Sequence, residues 1–347
     1  MLAFKWPVIA SAAVITFVFG LAGPEAALTV TILAALELSL SMDNAVVNAK
    51  VLQLMTPVWQ RRFLGWGIVI AVFGMRALFP LLVVSAVATV TPWDALTMAL
   101  TDPDRYGTTL TSAHPAVVGF GGMFLTMVFF TWLFEDRDVH WLGWIERPLV
   151  RLGLVDSAAV IATGIALLAA TVTIVPEHEQ LTVLISGLAG ILTHLLVNGV
   201  AAAFLDDDAA DNVERAGAAL FVYIEVLDAS FSFDGVIGAF AITSSFLLIT
   251  AGTGIGAFFV RGATIEMVRR GTLDTYIHLE HGAHWAIGAL AALLIGTIRW
   301  EIPETITGLV GAGFVVAAVL TSIISRRHAP RHIDTTTRQS VTSERAT

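Results

Sequence analysis

Leu36-Glu37-Leu38-Ser39-Leu40-Ser41-Met42-Asp43-Asn44 lies inside an apolar run that is otherwise long enough to cross a bilayer. Ionisable side chains in hydrocarbon are costly, so they mark function before they mark structure. The pattern returns at Leu227-Asp228-Ala229-Ser230-Phe231-Ser232-Phe233-Asp234-Gly235. Glu37 aligns with Asp228, Ser39 with Ser230, Ser41 with Ser232 and Asp43 with Asp234. Both copies read acid-x-Ser-apolar-Ser-apolar-Asp. This is an internal repeat, and its two copies are expected to build one oxygen-rich cation site within the membrane.

Composition bounds the class. The 347 residues are 56% hydrophobic and 14% charged, with mean hydropathy +0.80. Soluble domains carry about 25% charged residues. Cysteine is absent, which excludes disulfides, thiolate zinc sites and iron–sulfur ligation, so any metal must take oxygen or imidazole ligands. No basic patch with interleaved aromatics points to nucleic acid. Lys5 before an apolar run imitates a signal peptide, but the next apolar segment follows almost at once, and the run reads as a first membrane helix.

A spanning helix needs ~20 mostly apolar residues. About ten such segments are expected: 6–23, 26–49, 64–90, 116–134, 157–175, 181–205, 216–240, 243–262, 283–299 and 304–325. Pro24 and Pro176 fall in very short connections that suit helical hairpins. If the N-terminus is inside, Arg105 and Arg299 are the outer cations, Arg76 and Arg261 lie within helices, and the remaining Lys and Arg are inside. Both termini are therefore expected to be cytoplasmic and the bilayer to be the plasma (inner) membrane. The motifs then sit on the second and seventh helices. An odd offset makes the repeat inverted, a plan on which transporters place substrate near the midplane.

The expected fold class is an all-α polytopic membrane protein of about ten transmembrane helices with an inverted internal repeat. Its parts are an N-terminal helix (1–25), a first repeat (26–134), connecting helices and inner loops (135–215), a second repeat (216–300), a last helix (301–325) and a disordered cytoplasmic tail (326–347). The repeat extends past the acids: Gly67 precedes Arg76, and Gly252 precedes Arg261, by nine residues each.

At 100° per residue Glu37, Ser41, Asn44 and Asn48 share one helix face, while Ser39, Asp43 and Lys50 lie roughly opposite. In the second copy Glu225, Asp228, Ser232 and Gly235 share a side, and Ser230 and Asp234 the other. Two polar faces cannot both meet lipid. Either the helix is buried all round or it is broken near the Ser-x-Ser step, where a break would free carbonyls for a cation. Glu37, Asp43, Asn44, Asp228 and Asp234 are the expected metal ligands, supported by Ser39, Ser41, Ser230 and Ser232. Hard oxygen donors suit Mg²⁺, Ca²⁺ or Mn²⁺. Arg76 and Arg261 would pair with the acids as gate or charge balancer. The plainer reading is a structural polar network, with Arg261 snorkelling to headgroups.

Glu280, His281 and His284 open the ninth segment from the inner side and could clasp a metal, with Glu266 as a further ligand. Interfacial packing is the plainer account. The spacing is not the His-Glu-x-x-His of zinc proteases, and neither a nucleophile–base set nor a nucleotide loop is present, so no enzyme activity is expected.

The two motifs resemble those of the TerC (tellurium-resistance membrane protein) family. Phe73-Gly-Met-Arg76-Ala-Leu-Phe-Pro80 and Leu279-Glu-His-Gly-Ala-His284-Trp look like one branch of it, domain-of-unknown-function family 475. The resemblance covers roughly residues 30–300. Gly235 stands where many relatives carry Ser. The resemblance implies metal homeostasis, manganese efflux or tellurite resistance, with Glu37, Asp43, Asp228 and Asp234 as the acidic metal residues. The expected function is export of a divalent cation, foremost Mn²⁺, by alternating access with proton coupling. There is no covalent cofactor, and the cation is either substrate or structural ion. The alternative is a membrane anchor or scaffold of a tellurite- or metal-stress complex, with soluble stress-resistance proteins docked on the cytoplasmic side.

Overall fold

A computed structural model describes residues 2–328 apart from 156, 206–209 and 241. It describes side chains except those of 2, 3, 43, 64, 152, 154, 201–213, 231–234, 237, 304, 305, 327 and 328. The described residues are helical throughout, with no strand. In chain order the helices are α1 (Leu2–Leu40), α2 (Met42–Gln53), α3 (Pro57–Arg62), α4 (Phe79–Ala88), α5 (Pro92–Thr101), α6 (Pro103–Ser112), α7 (His114–Phe134) and α8 (Gly143–Val150). There follow α9 (Ala158–Thr173), α10 (Gln180–Leu205), α11 (Ala210–Ala239), α12 (Phe246–Arg269), α13 (Thr272–Thr275), α14 (Leu279–Gly296) and α15 (Glu304–His328). Between α3 and α4 the chain winds as two π-helical stretches, Phe63–Gly67 and Ile70–Leu78.

Among the described residues six helical stretches are long and apolar enough to cross a membrane: Phe4–Leu40, Ile70–Ala88, His114–Phe134, Gln180–Val200, Phe246–Arg269 and Ile306–Arg326. The chain is a multi-pass, all-α membrane protein. Helix α9 is apolar but shorter. The second motif lies on α11 and the histidine segment opens α14, neither of which is among the six.

The first stretch is not one rod. Gly23 has φ 86°, which breaks the helix ahead of Pro24. Phe4 stacks on Phe259 with centroids 6.5 Å apart, and both Phe4 and Leu38 pack against Val260 and Ala263. A straight helix would hold residues 4 and 37 about 50 Å apart at 1.5 Å per residue. Gly23 therefore reverses the chain, and 2–22 and 24–40 form the hairpin expected at Pro24. The C-terminal helix runs on to His328, past the expected end of the last span at 325; residues 329–347 lie outside the described part. So do Asp206, Asp207 and Asp208, within the connecting stretch 135–215.

The two motif helices differ. Ser41 leaves helical geometry (φ −104°, ψ 14°) and separates α1 from α2. The bonds Ser41 N–Glu37 O (3.0 Å) and Ala45 N–Ser41 O (3.1 Å) bridge the step, so the break is confined to one residue. The second motif sits in an unbroken helix, α11.

α12 lies along α1 and α2 and against the second π stretch, which also meets α11. These elements enclose Glu37, Ser41, Asn44, Asp228 and Ser230. Close contact between α12 and α1 depends on Gly252 and Gly256, one turn apart. A β-carbon on Gly252 would meet Val30 O at 3.0 Å, and one on Gly256 would meet Ala34 O at 2.9 Å and Glu37 Cγ at 2.5 Å. Small residues at this spacing let membrane helices approach backbone to backbone.

Candidate functional site

Arg76 and Arg261 are both 2% exposed. The π-helical winding of Ile70–Leu78 carries Arg76 into the interior, and π geometry within a helix recurs at functional sites. Arg76 Nη1 donates to Ala71 O at 2.8 Å, and Nη2 is ion-paired with Glu37 Oε1. Ser41 Oγ donates to the same Glu37 oxygen at 3.0 Å. Across the interface Arg76 Nη1 lies 3.8 Å from Asp228 Oδ2.

The second arginine mirrors the first. Arg261 Nη2 donates to Glu225 Oε2 at 2.9 Å and lies 3.5 Å from Asp228 Oδ2. Its guanidinium rests 4.3 Å over the Phe63 ring. A β-carbon at Gly67 would come within 3.1 Å of Glu225 Oε1 and 3.2 Å of Arg261 Cζ, so this glycine leaves the arginine its room. Asn44 Nδ2 donates to Asp228 Oδ1 at 2.8 Å. Asp228 is thus the hub: it faces one arginine from each repeat copy and an asparagine from the first motif.

Glu37, Ser41, Asn44, Asp228, Arg76 and Arg261 come together, all buried. Glu37 also meets the second copy directly, since a β-carbon on Gly235 would lie 3.3 Å from its Oε2. A void of about 10 Å³ is walled by Glu37, Gly235, Leu33 and Thr253, room for about one water-sized sphere. Ser230 is buried but spends its hydroxyl on Val226 O at 2.9 Å. Ser39 is exposed, away from the cluster, as its place on the opposite helix face requires. The side chains of Asp43, Ser232 and Asp234 lie outside the described residues.

Glu225 was named on the Asp228 face but not among the expected ligands. Its signal was there: it stands three residues before Asp228, so one helix turn stacks the two acids. A cavity of about 350 Å³ between the second π stretch, α7, α10 and α11 reaches Glu225, Ser230 and Thr193, with otherwise apolar walls.

The inner-mouth residues turn to separate partners. Glu280 pairs with Lys50 at 2.8 Å, His284 Nδ1 contacts Glu280 O at 2.8 Å, and the His284 ring stacks on Trp132 at 4.7 Å. His281 Nδ1 lies 3.3 Å from Glu146 Oε2. Glu146 was not anticipated. It is buried and also accepts from Trp141 N (3.0 Å), Leu142 N (3.2 Å) and Trp285 Nε1 (3.0 Å). Burial alone would raise the Glu146 carboxyl, but the bonds from His281, Trp285 and Leu142 N outweigh it and hold the group at about 2.

Among the described residues no three His, Asp or Glu side chains gather in a way that could hold a metal by themselves. The buried network instead sets three acids, Glu37, Glu225 and Asp228, against two arginines, a net charge of −1 over these five. Removing one member of such a set is expensive because its partner stays buried and charged. Asp228 Oδ2, Glu225 Oε1, Asn44 Oδ1 and Asn48 Oδ1 are buried oxygens without a hydrogen-bond partner among the described residues. An oxygen-only donor set with excess negative charge fits a hard cation.

No curated protein matches the chain, and no solved structure does. A family comparison matches residues 42–329. The match opens at the start of α2, one residue past the Ser41 break, and takes in Asp43, Asn44, both arginines and the whole second motif; Glu37 precedes it. Covering most of its length, this match places the chain in DUF475, a membrane family described as a protein of unknown function.

Proposed function

We propose that the chain is a membrane transporter that exports a divalent metal cation, foremost Mn²⁺, by alternating access between two inverted repeats, with protons moving the other way. The observation that carries this reading is the junction of the two copies. Glu37 of the first and Asp228 of the second share Arg76, in a buried network with one more acid than arginine among its described members. The resemblance to TerC proteins supports the metal, and the Lys/Arg asymmetry supports cytoplasmic termini in the plasma membrane.

The arginines act as tethered cations. With no metal bound, each guanidinium neutralises acids that would otherwise be buried unpaired. A divalent ion entering among Glu37, Asp228, Asp43 and Asp234 competes with Arg76 for the same oxygens. Carboxylates that lose the metal take up protons, which couples the two fluxes.

The test is Mn²⁺ flux in proteoliposomes. Asp43→Asn, Asp228→Asn and Asp234→Asn should each reduce it at least tenfold while the protein still purifies as a folded species. Full flux in all three refutes the site. The second reading is a tellurite- or metal-stress scaffold with a structural ion. It is favoured by the closed ion pairs of Arg76 and Arg261, and it predicts no acid-dependent flux for any metal.

A further inference from the structure

We propose that the amide oxygens of Asn44 and Asn48 form a second, uncharged station for a hard divalent cation, between the acid–arginine network and the Lys50–Glu280 pair. This rests on the transport reading above and extends it.

Both asparagines lie on α2, four residues apart, and each is 1% exposed. One helix turn brings such side chains onto the same face, with β-carbons about 5–6 Å apart. The orientation of Asn44 is fixed by chemistry. Asp228 Oδ1 only accepts, so the Asn44 NH₂ group must face it, and the amide oxygen must face away. That oxygen has no hydrogen-bond partner among the described residues, and neither has Asn48 Oδ1. Two buried carbonyl oxygens without donors are costly in a membrane interior. A cation is the partner that both can share, and amide carbonyls are ordinary ligands of hard divalent ions.

Position gives the station a role. Following α2 from Asn44, the next polar residue on its buried face is Asn48. Two residues later Lys50 is half-exposed and bonded to Glu280 of α14. The order along the helix is therefore deep acid site, neutral amide pair, surface ion pair. Neutral oxygens bind a divalent ion more weakly than carboxylates, so the ion can be handed on rather than trapped.

The experiment counts Mn²⁺ on the full chain in detergent from the free-ion electron paramagnetic resonance signal, beside flux in proteoliposomes. The wild-type chain should hold two Mn²⁺, one tight and one weak. Asn48→Leu should hold one and lose flux at least fivefold. Asn48→Asp should tighten the weak site roughly tenfold, since added ligand charge raises affinity, and slow release; a purely structural asparagine would not respond so. One ion in the wild type, or two unchanged in Asn48→Leu, overturns the station while leaving the acid site intact. An Asn48→Asp chain whose weak site is unaltered does the same if Asn48→Leu fails to fold. No bound Mn²⁺ at all in the wild type removes the acid site too, and so separates failure of the wider reading from failure of this one.

Discussion

Asp228 sits at the centre of the buried ion network. It touches Asn44, Arg76 and Arg261, so three buried polar groups depend on it. Truncating one member of a buried ionic set costs about 3–5 kcal/mol, whereas exposed positions shift stability by less than about 0.5 kcal/mol. Thermal unfolding in detergent should therefore rank Asp228→Ala well below Glu37→Gln, with Ser39→Ala indistinguishable from wild type. Equal losses at Asp228 and Ser39 would contradict the hub. The losses of Arg261→Gln and Glu225→Gln should sum to more than the loss in the double variant, because either single change strands its partner. At this scale the acids were legible: a carboxylate in an apolar run advertises its own cost. Glu225 was harder to see, since it precedes the repeated motif and has no counterpart in the first copy's pattern.

Helix contacts decide where those side chains sit. Gly252 and Gly256 let α12 lie against α1, and the contact at Gly256 is with Glu37 itself. Gly256→Val should cost about 1–3 kcal/mol through overpacking and push Glu37 off Arg76. Gly164 on α9 is a fair control: a β-carbon there meets nothing within 4 Å. Gly164→Ala should be neutral or stabilising by up to about 1 kcal/mol, since alanine is the better helix former. A lower melting temperature with lost Mn²⁺ flux in the first variant, and neither in the second, would place the effect at the α1–α12 contact. The spacing of Gly252 before Arg261 was visible as part of the repeat. That Gly256 faces Glu37 depends on the rotation of two helices about their axes, which periodicity within one helix does not contain.

Across the whole molecule, Glu146 ties the short helix α8 to α14 through His281 and Trp285. Its carboxyl sits at about 2 in the folded chain, below the ordinary 4.5. A depressed acid contributes stability that is complete above the unfolded value and is lost as pH falls through the folded one. Docking of α8 should therefore hold from neutral pH down to about 4.5 and weaken progressively from there towards 2. The chain has no cysteine, so Trp144→Cys can carry a single environment-sensitive label on α8. Its emission should shift across that acid window in the otherwise wild-type chain. With Glu146→Gln added, the undocked signal should already be present at pH 7. A label insensitive to both would show that Glu146 does not hold α8.

The amino-acid sequence by itself determined the membrane class, the paired acid motifs, the arginines that answer them and the reversal at Gly23–Pro24. Each follows from a local cost: an apolar run has nowhere to go but lipid, a buried charge must be compensated, and a proline after a glycine ends a helix. Only the tertiary structure decided that Arg76 joins Glu37 to Asp228, that Glu225 belongs to Arg261, that Ser39 turns away and that His281 meets Glu146. Those pairings depend on how helices distant in the chain cross and rotate against each other. Several acids and cations of similar burial cost compete for partners, and the geometry of packing alone selects among them.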